Sequence, residues 1–161
     1  MASHDSDRVV ALSLQLSQAH QELRRRINEI RTGLGRRRSN DETLLPRCLA
    51  FCAALTTHHR GEDDGMFSQL LRERPDLAVT VASLREDHRM IASILARVRE
   101  LAGTAVESRG PVQVAIEREL EGLAAIMESH FRYEERAISE ALDGGTPDTG
   151  WSPQVFRFDM T

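Results

Sequence analysis

Aromatic residues are scarce in this sequence, and turn-forming residues are few. Phenylalanine, tryptophan and tyrosine make up 4% of the 161 residues, alongside five prolines and ten glycines. A β-sandwich needs many short turns, so this composition disfavours that class and favours an all-helical protein. The length is typical of a single domain.

Positive charge and long apolar runs are also lacking. The formal net charge is −4, so no basic surplus exists to neutralise nucleic-acid phosphates, and we expect no nucleic-acid partner. No stretch approaches the roughly 20 apolar residues of a membrane-spanning helix, and the first residues lack the pattern of a secretion signal. We therefore expect a cytoplasmic protein that does not enter a membrane.

The sequence does contain four segments in which apolar residues recur at alternating steps of three and four, the spacing of one helical face. The first segment begins near residue 6, and the others follow breaks at 36–40, at Pro75 and at 103–110. Four amphipathic helices with short connections predict an antiparallel, up-down-up-down four-helix bundle over residues 1–142.

The last residues, 143–161, do not continue the helical pattern. They open with a run rich in glycine and proline and then carry Trp151, Phe156 and Phe158. Because large aromatic side chains gain free energy by leaving water, we expect this tail to pack on the bundle.

Six polar residues interrupt the apolar stripes. An unpaired buried carboxylate is strongly destabilising, and here each glutamate follows a histidine by one helical turn. A cation in the core would remove that cost. The six residues are His20 on the first helix, His58 and Glu62 on the second, His88 on the third, and His130 and Glu134 on the fourth.

Helix length indicates that these residues lie at one level of the bundle. At 1.5 Å per residue, His20 and His58 both fall about 22–26 Å from the connection between their helices. The same estimate brings His88 and His130 to within about a turn and a half of each other. Side chains on all four helices can therefore converge.

The chemistry of this donor set favours particular metals. Four imidazoles and two carboxylates suit iron or manganese, and carboxylates from two helices can bridge two ions. A lone zinc ion would use four ligands and leave the others unpaired. We expect two ions, with a single ion or a metal-free polar network as the alternatives.

These residues also form recognisable motifs, which read HHRGE at 58–62, EDH at 86–88 and HFRYEE at 130–135. With the isolated histidine of the first helix, the sequence resembles the hemerythrin-like proteins, the HHE cation-binding domains, over about residues 6–142. The resemblance implies a non-haem di-iron centre. In that centre one iron would be held by His20 and His58, the other by His88 and His130, and the bridges would be Glu62 and Glu134.

Two positions depart from the oxygen-carrying hemerythrins. Those proteins bear two histidines one turn apart on the third helix, whereas the residues four away from His88 are Leu84 and Ala92. Their last helix places an aspartate five residues after its histidine, where this sequence has Glu135; helical phase favours Glu134 instead. The missing histidine leaves coordination positions for water, peroxide or dioxygen, which argues against simple reversible oxygen carriage.

Two further residues are candidates for the site. His59 lies beside His58 and would replace it as a ligand if the helical phase differs from the one assigned above. Tyr133, the only tyrosine, follows His130 by three residues and could act on the site as a hydrogen-bond donor or a redox-active phenol.

The sequence thus supports one main functional hypothesis and two alternatives. The main hypothesis is a di-iron protein that binds and reacts with dioxygen, hydrogen peroxide or nitric oxide, with peroxide consumption or oxidase activity as possible reactions. The first alternative is a module that binds or senses oxygen, nitric oxide or iron without turnover. The second is a di-iron oxidase of an organic substrate, with the tail as a lid. The sequence leaves the oligomeric state open.

Overall fold

A computed structural model describes residues 10–35, 44–104 and 109–158. These residues form helices joined by turns, with no β-strand among them, which confirms the all-helical prediction. The start predicted near residue 6 lies outside the described residues. The helices are α1 (Leu12–Gly35), α2 (Leu44–Gly61), α3 (Phe67–Glu73), α4 (Ala78–Thr104), α5 (Arg109–Asp143) and α6 (Ser152–Phe156).

The second predicted helix contains one irregular turn. A π-helical turn, Glu62–Met66, joins α2 to α3 without ending the helical path, since Gly61 and Phe67 on its two sides keep right-handed helical angles. A short 3₁₀ turn at Pro75–Leu77 then leads into α4. Wide turns of this kind change the phase of the residues that follow, and they are frequent at functional sites.

Two apolar clusters fill the interior. The major cluster contains residues from all four long helices, for example Leu23, Phe51, Leu95 and Leu120. The minor cluster includes Leu16, Phe67, Leu84 and Ile138. Along α1 and α4 the minor cluster comes first, whereas along α2–α3 and α5 the major cluster comes first. Each of these four helical segments therefore passes from one cluster to the other. The six buried polar residues lie at the level between the clusters.

The tail packs against this helical body. Trp151, Val155 and Phe158 are buried, and α6 contacts α2 and α1. The approach is close: a Cβ added to Gly61 would lie 2.9 Å from Val155 Cγ2, and one added to Gly65 would lie 2.3 Å from Trp151 Cβ. Gly61, just before the π-helical turn, and Gly65, within it, thus leave the space that the tail occupies. None of the described helices is long and apolar enough to cross a membrane.

Candidate metal centre

The six polar residues singled out in the sequence meet between the two apolar clusters. Each is at most 5% exposed. Their donor atoms fall into two groups, and within each group all atoms lie within 4.8 Å of one another. One group comprises His20, His58, Glu62 and Glu134, and the other comprises His59, Glu62, His88 and His130.

Glu62, the first residue of the π-helical turn, belongs to both groups. It still lies one turn after His58, and its Oε2 is 3.5 Å from His58 Nε2. Its other oxygen, Oε1, is 3.2 Å from Nε2 of His88 on α4. The two oxygens of one carboxylate therefore face histidines of different groups, as a bridge between two cations requires.

Glu134 has a similar position on α5. Its Oε1 lies 3.3 Å from Nε2 of His20 on α1 and 3.8 Å from Nε2 of His130, one turn earlier on its own helix. The Nε2 atoms of His130 and His88 are 3.1 Å apart, with their rings at 71° to each other. Two imidazoles in this arrangement can direct their lone pairs at one ion.

Each of the four predicted histidine ligands also has an acceptor at Nδ1. His20 donates to Glu135 (2.8 Å), His58 to the carbonyl of Val155 (2.6 Å), His88 to Asp63 (2.8 Å) and His130 to Asp87 (3.0 Å). A hydrogen at Nδ1 leaves a lone pair at Nε2, the atom that faces the centre. This pattern of a ligand histidine held by an outer acceptor is general in metal sites.

Seven of the atoms that face the centre have no hydrogen-bond partner among the described residues. They include both oxygens of Glu62, both oxygens of Glu134, and Nε2 of His20, His58 and His59. Buried polar atoms are nearly always paired, so seven such atoms in one place call for a ligand. They are all electron-pair donors. The donor set therefore suits metal cations. A metal-free network of hydrogen bonds would leave these atoms unpaired.

The pKa values reflect the same crowding. Burial and the charge of Glu134 raise the pKa of Glu62 well above its usual value. Burial lowers the pKa of His58 to about 3, which keeps that ring neutral. Burial also opposes protonation of His20, but the nearby carboxylates of Glu134 and Glu135 outweigh it and raise its pKa. Cations at the centre would satisfy both carboxylates at once.

The structure places all four members of the two pairs that the sequence left as alternatives. His58 and His59 are both buried at the centre, one in each group. Glu134 faces the centre, whereas Glu135 lies outside it as the acceptor of His20 Nδ1. Tyr133 is half-buried against the minor cluster, and no hydrogen bond of its hydroxyl is found within the described residues. Its role at the site stays a prediction.

Sequence analysis missed the outer acceptors. Asp63 directly follows Glu62 and Asp87 directly precedes His88, so an acidic neighbour of each ligand was the available signal. No sequence signal pointed to Val155, because its contribution is a backbone carbonyl from the far end of the chain.

Comparison with known proteins agrees with the geometry. The family described as the hemerythrin HHE cation binding domain matches residues 13–142, which contain every residue of both donor groups. No curated protein and no solved structure was found to match the chain. Since the family match spans most of the sequence and includes the buried histidines and glutamates, the chain belongs to the hemerythrin HHE cation-binding domain family.

Proposed function

We propose that this protein is a non-haem di-iron protein that binds and reacts with dioxygen, hydrogen peroxide or nitric oxide. The observation that carries the proposal is the set of unpaired donor atoms around two fully buried glutamates. We assign one ion to His20 and His58 and the other to His88 and His130. Glu62 and Glu134 would bridge them, because each faces histidines from both assignments.

Iron is the preferred metal and manganese the second choice. The ligands are imidazole nitrogens and carboxylate oxygens, and the centre contains no thiolate; Cys48 and Cys52 belong to the major apolar cluster instead. Bound iron would supply redox chemistry toward small oxygen and nitrogen species. The chain itself orients the imidazoles through their Nδ1 acceptors and keeps bulk water away by burial.

The scaffold we propose for this centre is the antiparallel, up-down-up-down four-helix bundle over residues 1–142, with 143–161 as a tail. The alternating order of the two apolar clusters along α1, α2–α3, α4 and α5 supports it. In such a bundle the metal ligands project inward from all four helices at one height.

Turnover, rather than reversible carriage, is the activity that we propose. The positions one turn from His88 on α4 hold Leu84, which is buried among apolar side chains, and Ala92. Neither can ligate a metal, so α4 supplies one histidine only. A less completely coordinated ion leaves room for an exogenous oxygen ligand and for its further reaction.

Anaerobic and aerobic absorption spectra with metal analysis test the function directly. We expect about two irons per chain, since the two donor groups offer one site each.

The iron-loaded protein should consume hydrogen peroxide, and His88→Ala should abolish this with the fold retained. Tyr133→Phe should slow it if the phenol takes part. A long-lived, reversible oxygen adduct with no peroxide consumption would instead establish a carrier or sensor.

Metal removal should lower the melting temperature. A ligand that binds only the folded state stabilises it by about 4 kcal/mol at a concentration 1,000 times its Kd. For a chain of this size that is about 10 °C in Tm, measured by calorimetry on apo and iron-loaded protein. Equal melting temperatures would show that the buried polar residues form a self-sufficient network.

A further inference from the structure

His59 differs from the other buried histidines at the centre. It is 5% exposed, and its Nε2 has no hydrogen-bond partner. The Nδ1 atoms of His20, His58, His88 and His130 each have an acceptor, but none is found for His59 among the described residues. Its ring is therefore placed at the centre without being fixed there by hydrogen bonds.

The position of His59 matches a gap in the donor set. Its donor atom lies within 4.8 Å of those of Glu62, His88 and His130. On α4, Leu84 and Ala92 cannot supply a second nitrogen beside His88. His59 enters from α2 instead and is the one additional nitrogen donor that the described residues bring to that group.

The orientation of the ring shows that its coordination would be weakly held. The imidazole of His59 stacks on that of His88, with centroids 3.8 Å apart and planes at 13°. The lone pair of an imidazole lies in the ring plane, so two parallel stacked rings cannot both direct one at the same ion. The His59 ring has to rotate away from the His88 ring before it can ligate the ion. No hydrogen bond to its Nδ1 among the described residues opposes rotation toward the ion or back into the stack.

A solvent-open pocket adjoins the same ring. Its volume is about 290 Å³, and His59, His88 and Ala92 are among its lining residues. Three arginines also line it: Arg60, Arg89 and Arg99. The one acidic residue of the lining, Asp63, accepts the hydrogen bond from His88 Nδ1. Arg89 is ion-paired with Glu86, but Arg60 and Arg99 still leave the lining with a net positive charge, which favours the entry of small anions.

We propose that His59 is a displaceable ligand of the ion held by His88 and His130, and that small anions entering by the arginine-lined pocket compete with it for that ion. The proposal rests on the proposed di-iron function. His59 on α2 then supplies the nitrogen that a second histidine on α4 would have supplied. The pocket is the route of the exogenous ligand, and the position that His59 leaves is where that ligand coordinates.

Azide is the probe for the first test, since it is a small anion that binds ferric iron. We compare azide titrations of the iron-loaded wild type and His59→Ala, followed by absorption. Both should hold about two irons per chain, and removing the competing ligand should tighten azide binding about tenfold or more. Met90→Ala, which changes an exposed residue of α4 outside the pocket lining, is the control and should bind azide as the wild type does.

Direct ligation and the route need separate measurements. Imidazole labelled with ¹⁵N, added to His59→Gly, should enter the space left and show strong nitrogen hyperfine coupling to a paramagnetic di-iron state. Ala92→Phe, which fills an exposed position of the pocket, should slow azide association at least several-fold without changing metal content.

The outcomes separate this proposal from the proposed function. Wild-type protein that binds no metal would overturn both. Two irons per chain with the same azide affinity in wild type and His59→Ala would refute the ligand role alone, as would ¹⁵N-imidazole that binds to His59→Gly without hyperfine coupling. An unchanged association rate in Ala92→Phe would refute the route through the pocket.

Discussion

Glu62→Gln should reduce the bound metal from about two ions per chain to one or fewer. Glu62 is the residue shared by both donor groups, and its two oxygens face His58 and His88 separately. Glutamine keeps the shape but removes the charge and one of the two oxygens, so both ions lose the Glu62 bridge and only Glu134 is left to join them. Metal content is measured after reconstitution with ferrous iron under anaerobic conditions.

Asp64→Asn is the matched control for this change. Asp64 lies in the same π-helical turn, and its substitution removes the same charge, but its side chain is exposed and outside both donor groups. It should retain two ions. Circular dichroism of both variants checks that the helices persist. If Glu62→Gln, with its helices intact, still holds two ions, the assignment of Glu62 as the required bridge is wrong.

Much of the candidate centre could be predicted because buried charge is so unfavourable. Glutamates and histidines at core positions of amphipathic helices need a partner, and helix rise alone indicates which of them can meet. The structure brings all six of those residues together at one level. Their roles as ligands remain the proposal that metal analysis tests.

His59 shows where this reasoning stops. Successive residues on a regular helix differ by about 100°, so periodicity treats His58 and His59 as alternatives on different faces. In the structure His58 reaches one donor group and His59 the other, because the centre is wide enough for two adjacent residues to face it. Only the packing of four segments around it reveals that width.

The Val155 acceptor and the π-helical turn were beyond prediction for a different reason. The periodicity of apolar residues indicates which face of a helix is buried, but a one-residue shift of its phase does not distinguish a wide turn from a break between two helices. The contact between His58 and the carbonyl of Val155 joins residues 97 positions apart. Such long-range pairing depends on how the tail docks, and the sequence indicates only that its aromatic residues favour burial.

Gly65→Ala should detach the tail from the helical body. A Cβ at residue 65 would lie 2.3 Å from Trp151 Cβ, an atom too close to the backbone to move alone, so the whole segment has to shift. Loss of the buried tryptophan packing should cost about 3 kcal/mol of unfolding free energy, or about 10 °C in Tm. Trp151 is the only tryptophan, so a red-shifted fluorescence emission reports its exposure without interference from other residues.

The same substitution should weaken metal binding without touching a ligand. When the tail leaves, His58 loses the Val155 carbonyl that holds its Nδ1, and loss of such an acceptor typically costs about 10- to 100-fold in metal affinity. Gly122→Ala is the control, because a Cβ there meets nothing within 4 Å and should stabilise α5 by about 1 kcal/mol. Competition with a chelator measures the affinity of both variants. If Gly65→Ala exposes Trp151 but leaves metal affinity unchanged, the tail packs on the bundle without supporting the metal centre.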